Sequence, residues 1–76
     1  MTAIETIKEI MESTATSFKE LANSTDLGTK ENVYQMLKRN DLKVGTFVVM
    51  LEALGYQLVV QNTENIDDET VIDYDY

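Results

Sequence analysis

The chain has 76 residues, a formal net charge of −8 and hydrophobic residues at 43% of its positions, which indicates one small globular domain rather than a disordered segment. It contains neither His nor Cys, so disulfides and both Ser/His and Cys/His nucleophilic catalysis are excluded. The chain is therefore not expected to be an enzyme.

The first third of the chain predicts two amphipathic helices. The first runs from about Thr2 to Ser13, with Thr2 as its N-cap and Glu5 completing a capping box. The second runs from about Ser17 to Ser24, and the polar turn "NSTDLG" follows it. Their predicted inward residues are Ile4, Ile7, Ile10, Met11, Phe18, Leu21 and Ala22.

Two further helices are predicted in the middle of the chain. The third begins after Thr29, whose hydroxyl caps it, and ends by Asn40. The fourth covers "TFVVMLEAL", with Gly45 or Thr46 at its start and Gly55 as the left-handed residue after its end. Because it is apolar around most of its circumference, it is expected to be the central core helix. The predicted core positions are Val33, Met36 and Leu37 in the third helix and Phe47, Val48, Met50, Leu51 and Leu54 in the fourth.

After Gly55 the apolar residues alternate instead of recurring at helical spacing. The segment "YQLVVQ", residues 56–61, is therefore predicted to be a strand. Residues 62–76 carry six acids and no base, and they end in "TVIDYDY". That ending is either a second strand or a disordered acidic tail, and its alternation favours pairing with "YQLVV", as a hairpin or across a dimer. The expected division is a domain at 1–61 and an acidic extension at 62–76.

The segments "FKELA", "LGTKENVYQML", "KRNDLKVGTF" and "LEALGYQLVV" together resemble the lambda-repressor-like (XRE-type) helix-turn-helix family, over roughly residues 4–60. The resemblance implies a mainly α bundle of four or five helices, here with a C-terminal strand or small hairpin. It also implies sequence-specific binding of double-stranded DNA as a dimer, in a repressor or an antitoxin. One departure is that Gly28 lies six residues after Ala22, where the family usually has four, and five before Val33 instead of six, so the turn is longer by a net one residue.

The third helix and the segment after it hold four of the six basic residues, which would neutralise phosphates. In the register of Val33 and Met36, Gln35 has the geometry to pair with an adenine edge, and Lys30 or Lys38 can reach guanine. Tyr34 either presses against a thymine methyl or a phosphate, or folds back against Lys38 or the first helix. The residues predicted to bind DNA are Thr29, Lys30, Glu31, Tyr34, Gln35, Lys38, Arg39, Asn40 and Lys43.

A homodimer is expected, because major-groove readers generally act in pairs and "YQLVV" has apolar residues on both faces. The predicted interface consists of Tyr56, Leu58, Val59 and Val60, which otherwise pair with the terminal strand of the same chain. The net charge leaves a second interpretation open, since −8 repels a polyanion. In that interpretation the helix-turn-helix scaffold is a protein-binding inhibitor or adaptor that docks on a basic partner such as a nuclease or a toxin.

No cofactor, metal site or membrane partner is expected. The acids Asp67, Asp68 and Glu69 lack the spacing and the Gly of a calcium loop. Neither a secretory leader nor a run of about 20 apolar residues is visible, so a cytoplasmic location is expected.

Overall fold

The computed structural model describes residues 1–39 and 42–73, which form four α-helices followed by an antiparallel pair of strands. The predicted class, mainly α with a small C-terminal hairpin, is confirmed. Across the described ranges, every helix is too short or too polar to cross a membrane. The elements are α1 (Ala3–Ser13), α2 (Phe18–Asn23), α3 (Lys30–Lys38), α4 (Val44–Ala53), β1 (Leu58–Gln61) and β2 (Glu69–Ile72).

Side-chain caps start the first two helices where the sequence predicts them. The Thr2 hydroxyl accepts a hydrogen bond from the Glu5 N–H at 3.1 Å, but in the described part of the chain the reciprocal bond to the Glu5 carboxylate is not formed. The complete capping box lies at α2 instead. There the Ser17 hydroxyl accepts from the Glu20 N–H, and the Glu20 carboxylate accepts from the Ser17 N–H, each at 3.1 Å.

The start of α4 differs from the prediction. The sequence favours Gly45 or Thr46, whereas the helix begins at Val44 with Lys43 as its N-cap. The reason is a backbone one, since the Lys43 carbonyl already accepts from the Phe47 N–H at 2.9 Å, while the side chain of Lys43 makes no capping hydrogen bond. A helix start made by the backbone of its N-cap leaves no signal in the side chain at that position.

The helices α1 and α4 end in the same C-terminal motif, which needs a left-handed residue directly after the C-cap. Gly55 supplies that residue for α4, as predicted, with φ +85°. At the end of α1 the same position is held by Ala15, with φ 54°. In each case the following N–H donates to a carbonyl five residues back at 2.8 Å, Thr16 to Met11 and Tyr56 to Leu51.

The hydrophobic core lies among the four helices, with α1 packed on α4 and α2 packed on α3. Its buried residues are Ile4, Ile7, Met11, Leu21, Ala22, Val33, Leu37, Val48, Met50 and Leu51. Five other predicted core residues are only partly buried, because so small a domain has little interior. These are Ile10, Phe18, Met36, Phe47 and Leu54.

The strands β1 and β2 form a hairpin, which confirms the favoured pairing of the acidic end with "YQLVV". Leu58 lies opposite Ile72 and Val59 opposite Val71, and Leu58 packs against the core of the helical body. The strand begins at Leu58 instead of at residue 56. The strand β1 ends at Gln61, the last residue of the expected domain, and β2 lies in the expected acidic extension. The predicted strand residues 74–76 lie outside the described part of the chain.

Candidate nucleic-acid interface

Helix α3 has one buried side and one polar, exposed side. Val33 and Leu37 are almost completely buried, and they fix the rotation of the helix on the core. Residues that are three or four positions apart are neighbours on one side of a helix. The five residues on this side, all exposed, are Lys30, Glu31, Tyr34, Gln35 and Lys38, which we call the α3 polar face.

The turn between α2 and α3 is closed by hydrogen bonds that involve Asn32. The Asn32 side-chain nitrogen donates to the Leu27 carbonyl at 2.6 Å, while its backbone N–H donates to the capping Thr29 hydroxyl at 3.3 Å. Gly28 has φ +101°, and a Cβ at Gly28 would lie 2.9 Å from the Asn32 side-chain nitrogen. The turn is therefore held by a residue that sequence reasoning did not single out. The available signal was an amide residue three positions after a capping Thr.

Tyr34 packs against α2. Its ring meets that of Phe18 edge to face, with 5.5 Å between the ring centroids and an interplanar angle of 84°. The alternatives in the sequence for an inward-folded Tyr34 were Lys38 and the first helix, and the ring partner Phe18 on α2 was not among them. Tyr34 nevertheless keeps 46% of its surface exposed, and the aromatic pair links the α3 polar face to the start of α2.

The remaining predicted residues flank α3. Thr29 is its N-cap and Arg39 its C-cap, and the Arg39 N–H donates to the Gln35 carbonyl at 3.0 Å. Lys43 is exposed at the start of α4. Asn40 lies outside the described residues.

Most of the basic residues of the chain lie on or near α3. Residues 30–43 hold four bases and two acids, a net +2, in a chain of net charge −8. Lys19 on α2, which the sequence reasoning left out, lines the same shallow depression as Thr29 and Lys30. The sequence feature that could have identified Lys19 is a basic residue on the exposed side of the helix that precedes α3. With Lys19 included, five of the six bases of the chain lie on α2, on α3 or in the segment up to Lys43.

The predicted dimer-interface residues all lie on or next to β1. Leu58 is partly buried against the core of its own chain, so its packing is already satisfied. Tyr56, Val59 and Val60 remain exposed, with Val60 the most exposed at 58%. These three are the exposed apolar residues on or just before β1 that a second molecule could contact.

Comparison with protein-family models, curated proteins and solved structures finds no match to this chain. Its function is therefore inferred from its own surface.

Proposed function

We propose that the chain is a sequence-specific double-stranded DNA-binding regulator, repressor-like or antitoxin-like, that reads the major groove with residues 29–39. The observation that carries the proposal is the α3 polar face, which has donors, acceptors and bases opposite the buried Val33 and Leu37. Two short helices packed together, the second with an exposed polar side, are what a helix-turn-helix reader needs.

The size and chemistry of α3 suit the major groove. An α-helix with its side chains is about 10–12 Å across, and the groove is about 12 Å wide. The Gln35 amide can donate to and accept from an adenine edge at the same time, and Lys30 or Lys38 can donate to guanine. Base readout is assigned to these three residues.

Contacts to the phosphate backbone are assigned to basic side chains at the margins of α3. Lys19 on α2 and Arg39 and Lys43 after α3 are exposed, and each phosphate they neutralise releases condensed counterions. The repulsion expected from the net charge of −8 lies mostly elsewhere. Residues 62–76 carry −6 of it, which leaves −2 for residues 1–61.

We also propose that the chain acts as a homodimer. A single α3 reaches one short half-site, and paired readers place their helices about one turn of DNA, ~34 Å, apart. The strand β1 is uncharged, and its exposed Val59 and Val60, with Tyr56 just before it, are apolar. Antiparallel contact between two β1 edges would form a four-stranded sheet with the charged β2 strands on the outside.

A salt titration of affinity for duplex DNA tests the proposal. For the parent protein, the logarithm of the binding constant should fall linearly with the logarithm of salt concentration. Lys43→Ala should reduce that slope by about 1 and weaken all sequences alike. The matched control is Lys8→Ala on α1, the one base outside residues 19–43, which should leave the slope unchanged. Absence of duplex binding at low salt would contradict the proposal and favour the protein-binding interpretation.

A further inference from the structure

The strand β2 is an edge strand. In the part of the chain that the structure describes, the sheet has two strands only, so each strand has one side without a strand partner. Unpaired edges present a row of N–H and C=O groups that can pair with another chain. A hairpin of two strands is also only marginally stable by itself, so a third strand would stabilise it.

The hydrogen-bond alternation of the hairpin identifies the outward backbone groups of β2. The Asn62 N–H donates to the Asp68 carbonyl at 3.0 Å, so these residues form a hydrogen-bonded position. Hydrogen-bonded and non-hydrogen-bonded pairs alternate in an antiparallel ladder. Counted from Asp68 along the observed register, the N–H and C=O groups of Glu69 and Val71 are directed away from β1.

The two strands of the hairpin differ in charge. Residues 56–61, which contain β1, have no charged side chain, whereas β2 contains Glu69 and is flanked by Asp68 and Asp73. Residues 56–73 as a whole carry five acids and no base. The apolar surface is shared between the strands, since Val59 and Val71 face each other with 38% and 41% of their surfaces exposed.

We propose that the free edge of β2 binds an extended basic segment of another protein, in which Lys or Arg alternates with apolar residues. The backbone of the segment adds a third strand to the hairpin. Its bases lie on the same face of the sheet as Glu69, Val71 and Asp73, and its apolar residues lie on the opposite face, beside Ile72. A second copy of this chain is disfavoured at the same edge, because like charges directly opposite each other destabilise a strand pair.

This docking surface shares no residue with the α3 polar face. The hairpin lies at the C-terminal end of the chain, and the bases assigned to DNA all lie between residues 19 and 43. The docking proposal therefore does not rest on DNA binding, and either one can fail while the other holds.

The test uses the full chain and an eight-residue peptide of alternating Lys and Val with blocked ends, titrated by fluorescence anisotropy. Glu69→Lys should weaken peptide binding by about tenfold, because it replaces an attractive charge with a repulsive one at the docking edge. The matched control is Glu64→Lys, which makes the same change in the exposed turn before β2 and should alter affinity by about twofold or less. In nuclear magnetic resonance spectra, the Val71 amide should shift on binding and the Val59 amide should not.

Four outcomes would overturn the proposal. The first is no binding of the peptide at low salt. The second is an equal loss in both variants, which would indicate only a general attraction to acids. The third is a peptide that binds as tightly as the unmodified one after the backbone nitrogens along both of its edges are methylated. Such a peptide cannot donate the main-chain hydrogen bonds that an added strand needs. The fourth is a shift at Val59 instead of Val71, which would place the peptide on β1.

Discussion

The side-chain amide of Asn32 donates a 2.6 Å hydrogen bond to the backbone carbonyl of Leu27, and this bond ties the first turn of α3 to the loop before it. The backbone N–H of Asn32 also donates to the Thr29 cap. One residue thus stabilises both the turn and the start of the proposed reading helix.

Replacing Asn32 with Ala should lower the free energy of unfolding by about 1 kcal/mol, because a turn hydrogen bond is lost and the Leu27 carbonyl must find water instead. Urea denaturation measures the change. The control is Asn23→Ala at the exposed last residue of α2, where the expected change is within about 0.5 kcal/mol. Equal effects of the two substitutions would show that the Asn32 bond does not hold the turn.

The features that the sequence predicted well are local ones. Thr29 was recognised as a cap, and Gly55 as a left-handed terminator, because each acts on neighbours within a few residues. The alternation in "TVIDYDY", residues 70–76, likewise favoured a strand paired with "YQLVV" over a disordered tail, and the part of it that the structure describes pairs with β1.

The missed features depend on contacts or backbone states that no local pattern encodes. The ring of Tyr34 meets Phe18 from another helix, sixteen positions away in the chain. Lys19 joins the candidate site only because α2 packs on α3. Lys43 begins α4 through its backbone alone, so its side-chain identity carries no information about the helix start.

Ala15 and Gly55 hold the same position in two copies of one helix-ending motif, and they make a matched pair for testing backbone strain. Ala15→Gly should raise the free energy of unfolding by about 0.5–1 kcal/mol, because Gly adopts the left-handed conformation without a Cβ penalty. Gly55→Ala should lower it by a similar amount, since the site leaves a Cβ open space and only the φ of +85° opposes it. Thermal unfolding of both variants measures the effect. A destabilised Ala15→Gly variant would contradict the assignment of strain to Ala15.

Substitutions of Tyr34 separate its packing from its proposed contact with DNA. Tyr34→Ala removes the edge-to-face pair with Phe18 and should cost about 0.5–1.5 kcal/mol of stability beyond the loss of buried area. Tyr34→Phe keeps the ring pair and should leave stability nearly unchanged. Duplex affinity measured on the Phe variant then reports on the hydroxyl alone, and we expect it to be weaker than that of the parent. Parental affinity would remove the Tyr34 hydroxyl from the interface.

Val59→Lys tests the proposed dimer. A charge at this exposed position on β1 should shift sedimentation toward the monomer, while the fold is retained because the side chain already faces solvent in part. The control is Val44→Lys at the start of α4, an apolar residue that is 64% exposed and outside the hairpin. A dimer unchanged by Val59→Lys, or a monomeric parent protein, would exclude β1 as the interface.

Selection of bound sequences from a random duplex library at low salt tests the central proposal most directly. We expect an enriched half-site, repeated with inverted symmetry about one helical turn (~34 Å) away. Repeating the selection with Gln35→Ala should flatten the preference at one base position of each half-site, a loss of about 1–3 kcal/mol of discrimination, and should leave the other positions unchanged. No enrichment with the parent protein, or the same enriched sequence with the variant, would contradict readout of DNA by α3.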